Sequence, residues 1–150
     1  MPLSPPPRDV NNLVIPHDHA EILAEDGLIR RIPPQWVVDD VKSPTGKRLS
    51  SEAFEMSSPE CGGGMSVDIR RLIIEAGQDI KAHVTMPPWI GSIQVTAGQL
   101  RGYNLQVGFS PLPTNPFHGE AWGKISKKQS KALRLASTWI VEINGCSLEA

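Results

Sequence analysis

The sequence predicts an α+β fold: a single compact domain in which a small, mostly antiparallel sheet packs with about three helices. Stretches of period-two alternation lie among segments whose apolar residues recur at helical spacing, and the two kinds do not follow the regular strand-helix-strand order of a doubly wound sheet. The length of 150 residues suits one core, since a domain of that size buries about 70% of the surface its unfolded chain exposes. With 39% hydrophobic and 21% charged residues, the composition is ordinary for a globular protein and excludes wholesale disorder and fibrous classes.

Residues 1–12 are proline-rich and polar, which predicts an extended, mobile tail ahead of a domain spanning 13–150. From His17 a run of helix formers ending at Gly27 predicts a short helix with a glycine stop. Leu28–Ile32 and Trp36–Val41 read as strands, divided by Pro33-Pro34, which removes two ladder donors and forces a bend. Residues 42–51 carry turn chemistry, and Phe54 is expected to anchor the next short segment to the core. Ser57–Gly64 reads as a flexible loop. Ser66 then reads as the N-cap of a helix over Val67–Ala76, in which Ile69, Leu72, Ile73 and Ala76 form one apolar stripe and Gly77 is the stop.

Gly91–Arg101 fits either a short helix or a strand. Tyr103, Leu105, Val107 and Phe109 alternate with polar or small residues, which predicts a half-buried strand, and His118–Ile125 is expected to return as another. Ser126 and Gln129 make a capping box opening a helix to about Trp139, with Ala132, Leu135, Ala136 and Trp139 on its buried face.

A formal net charge of −1 lacks the basic excess of a dedicated duplex-DNA binder, so nucleic acid is not an expected partner. No apolar run reaches the roughly 18 residues of a membrane span, and the N-terminus shows no signal-type apolar stretch, so neither insertion nor secretion is expected. Cys61 and Cys146 have no metal-type spacing and do not make a disulfide framework, which suits a reducing cytoplasm.

Several constellations are candidates for chemistry. Gly63 and Gly64, followed by Ser66 at the expected helix start, offer amide donors to an anion, although the spacing of a phosphate loop is missing. Arg30 and Arg31 are neighbours in a strand, so one must face inward and needs a carboxylate or a bound anion; Asp39, Asp40, Glu52 and Asp68 are the carboxylates on offer. Ser50, Ser51 and Asp68 complete the expected ligand set. His118 and Glu120 share one strand face and form a candidate acid/base pair. His17-Asp18-His19 is a poor chelator on a helix, where the two rings diverge by about 200°, so no metal and no cofactor is expected. Lys124, Lys127, Lys128, Lys131 and Arg134 cluster at the last helix and are the place for any local nucleic-acid contact.

The blocks Arg-Arg-Ile-Pro-Pro at 30–34, Ser-Ser-Glu-Ala-Phe at 50–54, Gly-Met-Ser-Val-Asp at 64–68 and Asn-Pro-Phe-His at 115–118 resemble a group of small uncharacterised bacterial proteins. The resemblance runs from about residue 28 to residue 122, and it implies a bacterial cytoplasmic domain without implying an activity. Two functions compete on the residues alone. One is a non-catalytic accessory module docking on a partner protein through tryptophans such as Trp36 or Trp89. The other is a small enzyme or ligand-binding domain for a phosphorylated or nucleotide molecule, with Arg30 or Arg31 on the phosphate and His118 as acid or base.

Overall fold

A computed structural model describes residues 3–57 and 63–149. The expected loop at Ser57–Gly64 and Cys61 therefore lie largely outside the described residues. The chain forms β1 (Gly27–Ile32), β2 (Val37–Asp39), β3 (Lys47–Leu49), β4 (Met65–Ile69), α1 (Arg70–Glu75), α2 (Ile80–Val84), β5 (Gly91–Thr96), α3 (Ala97–Arg101), β6 (Gln106–Phe109), β7 (His118–Trp122), α4 (Lys127–Ala136) and β8 (Thr138–Val141). A six-stranded antiparallel sheet runs in the order β6-β7-β4-β1-β5-β8, and β2 with β3 makes a separate hairpin. The fold is α+β as the sequence predicts, with four α-helices among the described residues rather than three.

Period-two packing explains the sheet. Leu28 and Ile32 of β1, Met65, Val67 and Ile69 of β4, Ile93 and Val95 of β5, and Val107 and Ala121 of β6 and β7 are all buried. They share one face, covered by the 3₁₀ turn Ser51–Phe54 and by α4, which packs against that turn. The opposite face carries Ile29, Arg31, Asp68, His118 and Gln94 in adjoining strands. The segment from α1 through residue 90 covers it: Arg70 bonds Gln94, His83 approaches Asp68, and the Trp89 ring lies against Arg31.

Three expected elements are corrected. The helix over Val67–Ala76 is a central strand through Ile69 followed by a helix over Arg70–Glu75. Met65, Val67 and Ile69 alternate, and pairing with β1 and β7 on both sides decides for the strand; Gly77, at φ 72, ends the helix as expected. The helix from His17 is absent. Residues 17–19 lie extended along the edge of β6, where His19 N–H donates to Val107 O and Asp18 Oδ1 accepts from Val107 N–H, and Gly27 opens β1 instead of stopping a helix. In α4 the buried positions are Ser130, Leu133 and Arg134, while Leu135 and Ala136 are exposed. The buried stripe is thus displaced from the expected one, and Trp139 belongs to β8.

Gly91–Arg101 resolves as both alternatives in succession, β5 then α3, with Thr96 and Gln99 forming a capping box at the junction. The proline-rich N-terminal stretch lies against the body: Leu3 is buried and the Ser4 carbonyl accepts from His19 Nε2.

Candidate functional site

Arg30 and Arg31 point to opposite faces, as strand geometry requires, and meet opposite fates. Arg31 finds a carboxylate: its Nε and Nη2 donate to Asp68 Oδ2 and Oδ1 at 2.9 and 3.2 Å, a fork-to-fork pair with the Asp68 side chain only 4% exposed. Asn115 Nδ2 donates to the same carboxylate at 2.7 Å, and His83 Nε2 sits 3.1 Å from Asn115 Oδ1 and 3.5 Å from Asp68. Trp89 closes the other side, with the guanidinium carbon 5.0 Å from its ring centroid. Every charge in this cluster has a protein partner, which makes it a structural clamp holding the segment that covers this face to β1 and β4.

Arg30 is 8% exposed and has no carboxylate within salt-bridge distance among the described residues. Its Nε donates to Ala53 O at 2.8 Å and its Nη1 to Ser66 O at 2.6 Å, while Trp36 lies with its centroid 5.0 Å from the guanidinium carbon. Nη2 has no hydrogen-bond partner among the described residues. Nη2 is not among the sealed, unpartnered side-chain atoms of the described residues, which are Ser92 Oγ and Arg134 Nε. Arg30 also lines a pocket of about 310 Å³, together with Trp36, Glu52, Glu55, Met56, Ser57, Gly64, Met65 and Ser66. Burial pulls the Arg30 pKa down to about 10, the response expected of a cation that has lost water without gaining a counter-charge.

Local chain chemistry builds this pocket. Ser50 caps the 3₁₀ turn with its hydroxyl on Glu52 N–H, and the turn delivers the Ala53 carbonyl to Arg30. Residues three apart eclipse in a 3₁₀ turn, so Glu52 and Glu55, the latter capping the turn, reach the same wall. Ser57 N–H and Oγ both donate to Gly64 O, which brings these two lining residues together. Gly64 is irreplaceable on space alone: a Cβ there would lie 2.7 Å from Ala121 O and 2.9 Å from the Trp122 ring.

Three residues expected from sequence to hold an anion, Arg30, Gly64 and Ser66, thus line one pocket, but not by the expected route. Gly63 and Gly64 lead into a strand, so no helix N-terminus presents amides there, and Ser66 contributes a strand carbonyl rather than a cap. Gly63 is half-buried and Ser50 acts as a cap, while Ser51 lies in the turn; none of the three lines the pocket. Arg31 and Asp68 belong to the other face. Glu52, one of the carboxylates expected to be on offer to Arg30 or Arg31, lines the pocket; Glu55 and Met56 were missed, and the i, i+3 carboxylate spacing of Glu52 and Glu55 beside a capping serine was the available signal.

The candidate acid/base pair does not assemble. His118 and Glu120 share a face of β7, but His118 Nδ1 donates to Ser110 O at 2.6 Å, and no hydrogen bond joins it to Glu120. Glu120 is half-buried, and burial raises its pKa, partly offset by His118. Neither residue lines the Arg30 pocket.

In the 17–19 stretch, ring nitrogens are committed to backbone: His17 to Ile15 O and Phe109 N–H, His19 to Ser4 O and Glu21 N–H. No group of three His, Cys, Asp or Glu side chains with metal-site geometry occurs among the described residues. The basic cluster loses Arg134, which is 2% exposed and donates to Leu148 O; its lysines remain on the surface. A larger cavity of about 410 Å³, lined by apolar side chains such as Leu3, Leu72, Phe109 and Phe117, holds none of the polar residues singled out from sequence. No helix among the described residues is long and apolar enough to cross a membrane. No protein-family model, curated protein or solved structure matches the chain.

Proposed function

We propose that this domain is a ligand-binding module that holds the anionic group of a small molecule on Arg30. The carrying observation is the buried Arg30 guanidinium, which has no carboxylate partner among the described residues and lines a pocket of about 310 Å³. A buried charge left unpaired costs several kcal/mol, and an incoming anion supplies the missing partner in a low-dielectric place where the pairing is strong. Trp36 lies beside the guanidinium in a cation–π contact, and the bonds to Ala53 O and Ser66 O hold it in place, which preorganises the donors. The volume lies at the small end of the ~300–1,000 Å³ range of ligand pockets.

Binding rather than turnover is favoured, because His118 and Glu120 stand outside the pocket. A small molecule is favoured over a docked protein, because Trp36 and Trp89 each spend a ring face on an arginine. The test is a thermal-shift panel of small carboxylates, with and without amino groups, and inorganic phosphate. A ligand at 100 times its Kd stabilises by about 2.7 kcal/mol, which raises Tm by about 5–11 °C in a domain of this size. The reading requires a saturable rise with at least one compound that disappears in Arg30→Met. A flat response across the panel, or a rise that survives Arg30→Met, overturns it.

A further inference from the structure

We infer that the ligand of the Arg30 pocket is a zwitterion, a free α-amino acid with an apolar side chain; this rests on the reading of Arg30 as the anion anchor. Among the described residues the lining carries one arginine against two glutamates, Glu52 and Glu55, both with solvent-exposed side chains. Their formal charge sums to −1, so a bare phosphate or dicarboxylate that reached Arg30 would be repelled by the carboxylates on the same wall. A molecule that is anionic at one end and cationic a few ångströms away meets no such penalty. Its carboxylate takes the place of Arg30's absent counter-ion, and its ammonium faces the two glutamates that the 3₁₀ turn brings to one side.

The rest of the lining supports the assignment. Trp36, Met56 and Met65 give the pocket an apolar wall, and the volume of about 310 Å³ admits a free amino acid while leaving little room for a nucleotide. Thioether side chains adapt to differently shaped apolar groups, which suits a set of aliphatic side chains. The geometry asks for both charges at once, since the cationic anchor is buried and the anionic wall is exposed.

Three probes separate the parts: L-leucine, 4-methylpentanoate, which is leucine without its amino group, and 3-methylbutylamine, which is leucine without its carboxylate. Calorimetric titration of the full chain should give leucine about a tenfold lower Kd than 4-methylpentanoate. It should show no saturable binding of the amine. Glu52→Gln/Glu55→Gln, a change at exposed positions, should erase that tenfold preference while leaving 4-methylpentanoate at least as tightly bound. Arg30→Met should weaken both carboxylates at least about thirtyfold.

If 4-methylpentanoate binds wild type as tightly as leucine, or the double glutamine variant keeps the preference, the zwitterion inference falls while Arg30 stands as the anchor. If no probe binds, or Arg30→Met binds them all as wild type does, the anchor reading falls and the zwitterion inference with it. Arg30→Lys is the second variant: it keeps the charge without the fork, and weakened carboxylate binding in a chain that still unfolds cooperatively is the expected result.

Discussion

Replacing Asp68 with alanine tests the clamp on the opposite face of the sheet. The Asp68 carboxylate accepts from Arg31 Nε and Nη2 at 2.9 and 3.2 Å and from Asn115 Nδ2 at 2.7 Å. Removing it leaves a guanidinium whose side chain is only 13% exposed, with Trp89 as its remaining close partner. Breaking a buried ion pair from one side costs about 3–5 kcal/mol, mostly because the surviving charge is stranded. At about 2–4 °C per kcal/mol for a domain of this size, Tm should fall by about 6–20 °C. The assay is urea unfolding followed by circular dichroism and tryptophan fluorescence, with two-state behaviour checked by coincidence of the two probes. Adding Arg31→Met to Asp68→Ala should restore a large part of the loss, since no stranded charge then remains. A loss below about 1 kcal/mol, or a double variant no more stable than Asp68→Ala, would refute the reasoning.

Three further outcomes follow from the same geometry. Burial raises the Glu120 pKa, so its ionisation opposes folding and the penalty grows as pH rises through the folded value; Glu120→Gln should raise stability at neutral pH and have little effect in acid, read from Tm against pH. Burial alone would raise Asp26, but bonds from Arg71 and from Leu23 N–H outweigh it and hold the carboxyl below its ordinary range. Its stabilisation is present above the unfolded pKa and lost as pH falls through the folded one, so Asp26→Asn should destabilise at neutral pH and flatten the acid limb of that same Tm profile. Gly64→Ala forces a Cβ to 2.7 Å from the Ala121 carbonyl, which should cost about 1–3 kcal/mol and abolish the ligand-induced Tm rise, since Gly64 itself lines the pocket and holds Ser57 there through its carbonyl.

Where a single periodicity governs a segment, the sequence was readable. β1 and the strand at Gln106–Phe109 follow from β-prone or alternating runs, and α4 opens at Ser126 because the Ser126–Gln129 box satisfies two orphan donors locally. Reading failed where two periods overlap. From Met65 to Ile69 the pattern has period two, and from Ile69 to Ile73 it has the helical period, so Ile69 belongs to both and a window across it suggests one long helix. In α4 the buried face includes Ser130 and Arg134, the latter donating through Nη1 to Leu148 O while its Nε is sealed without a partner, and no hydropathy stripe reveals polar residues there. At the candidate site the sequence named Arg30 in a strand but attached Gly64 and Ser66 to a helix N-terminus. What joins them to Trp36, Glu52 and Glu55 is the crossing of the 3₁₀ turn over the Arg30 face, a long-range contact with no local signature.

The most direct test of the Arg30 anchor watches that guanidinium. In isotope-labelled protein the Arg30 Nε–Hε group is held on the Ala53 carbonyl in a buried place, so its correlation should be observable and sensitive to a new partner at Nη2. On titration with L-leucine the Arg30 signal should move to saturation with the calorimetric Kd, while Arg31, already paired with Asp68, stays in place. A leucine-dependent heat with an unmoved Arg30 resonance would contradict the account.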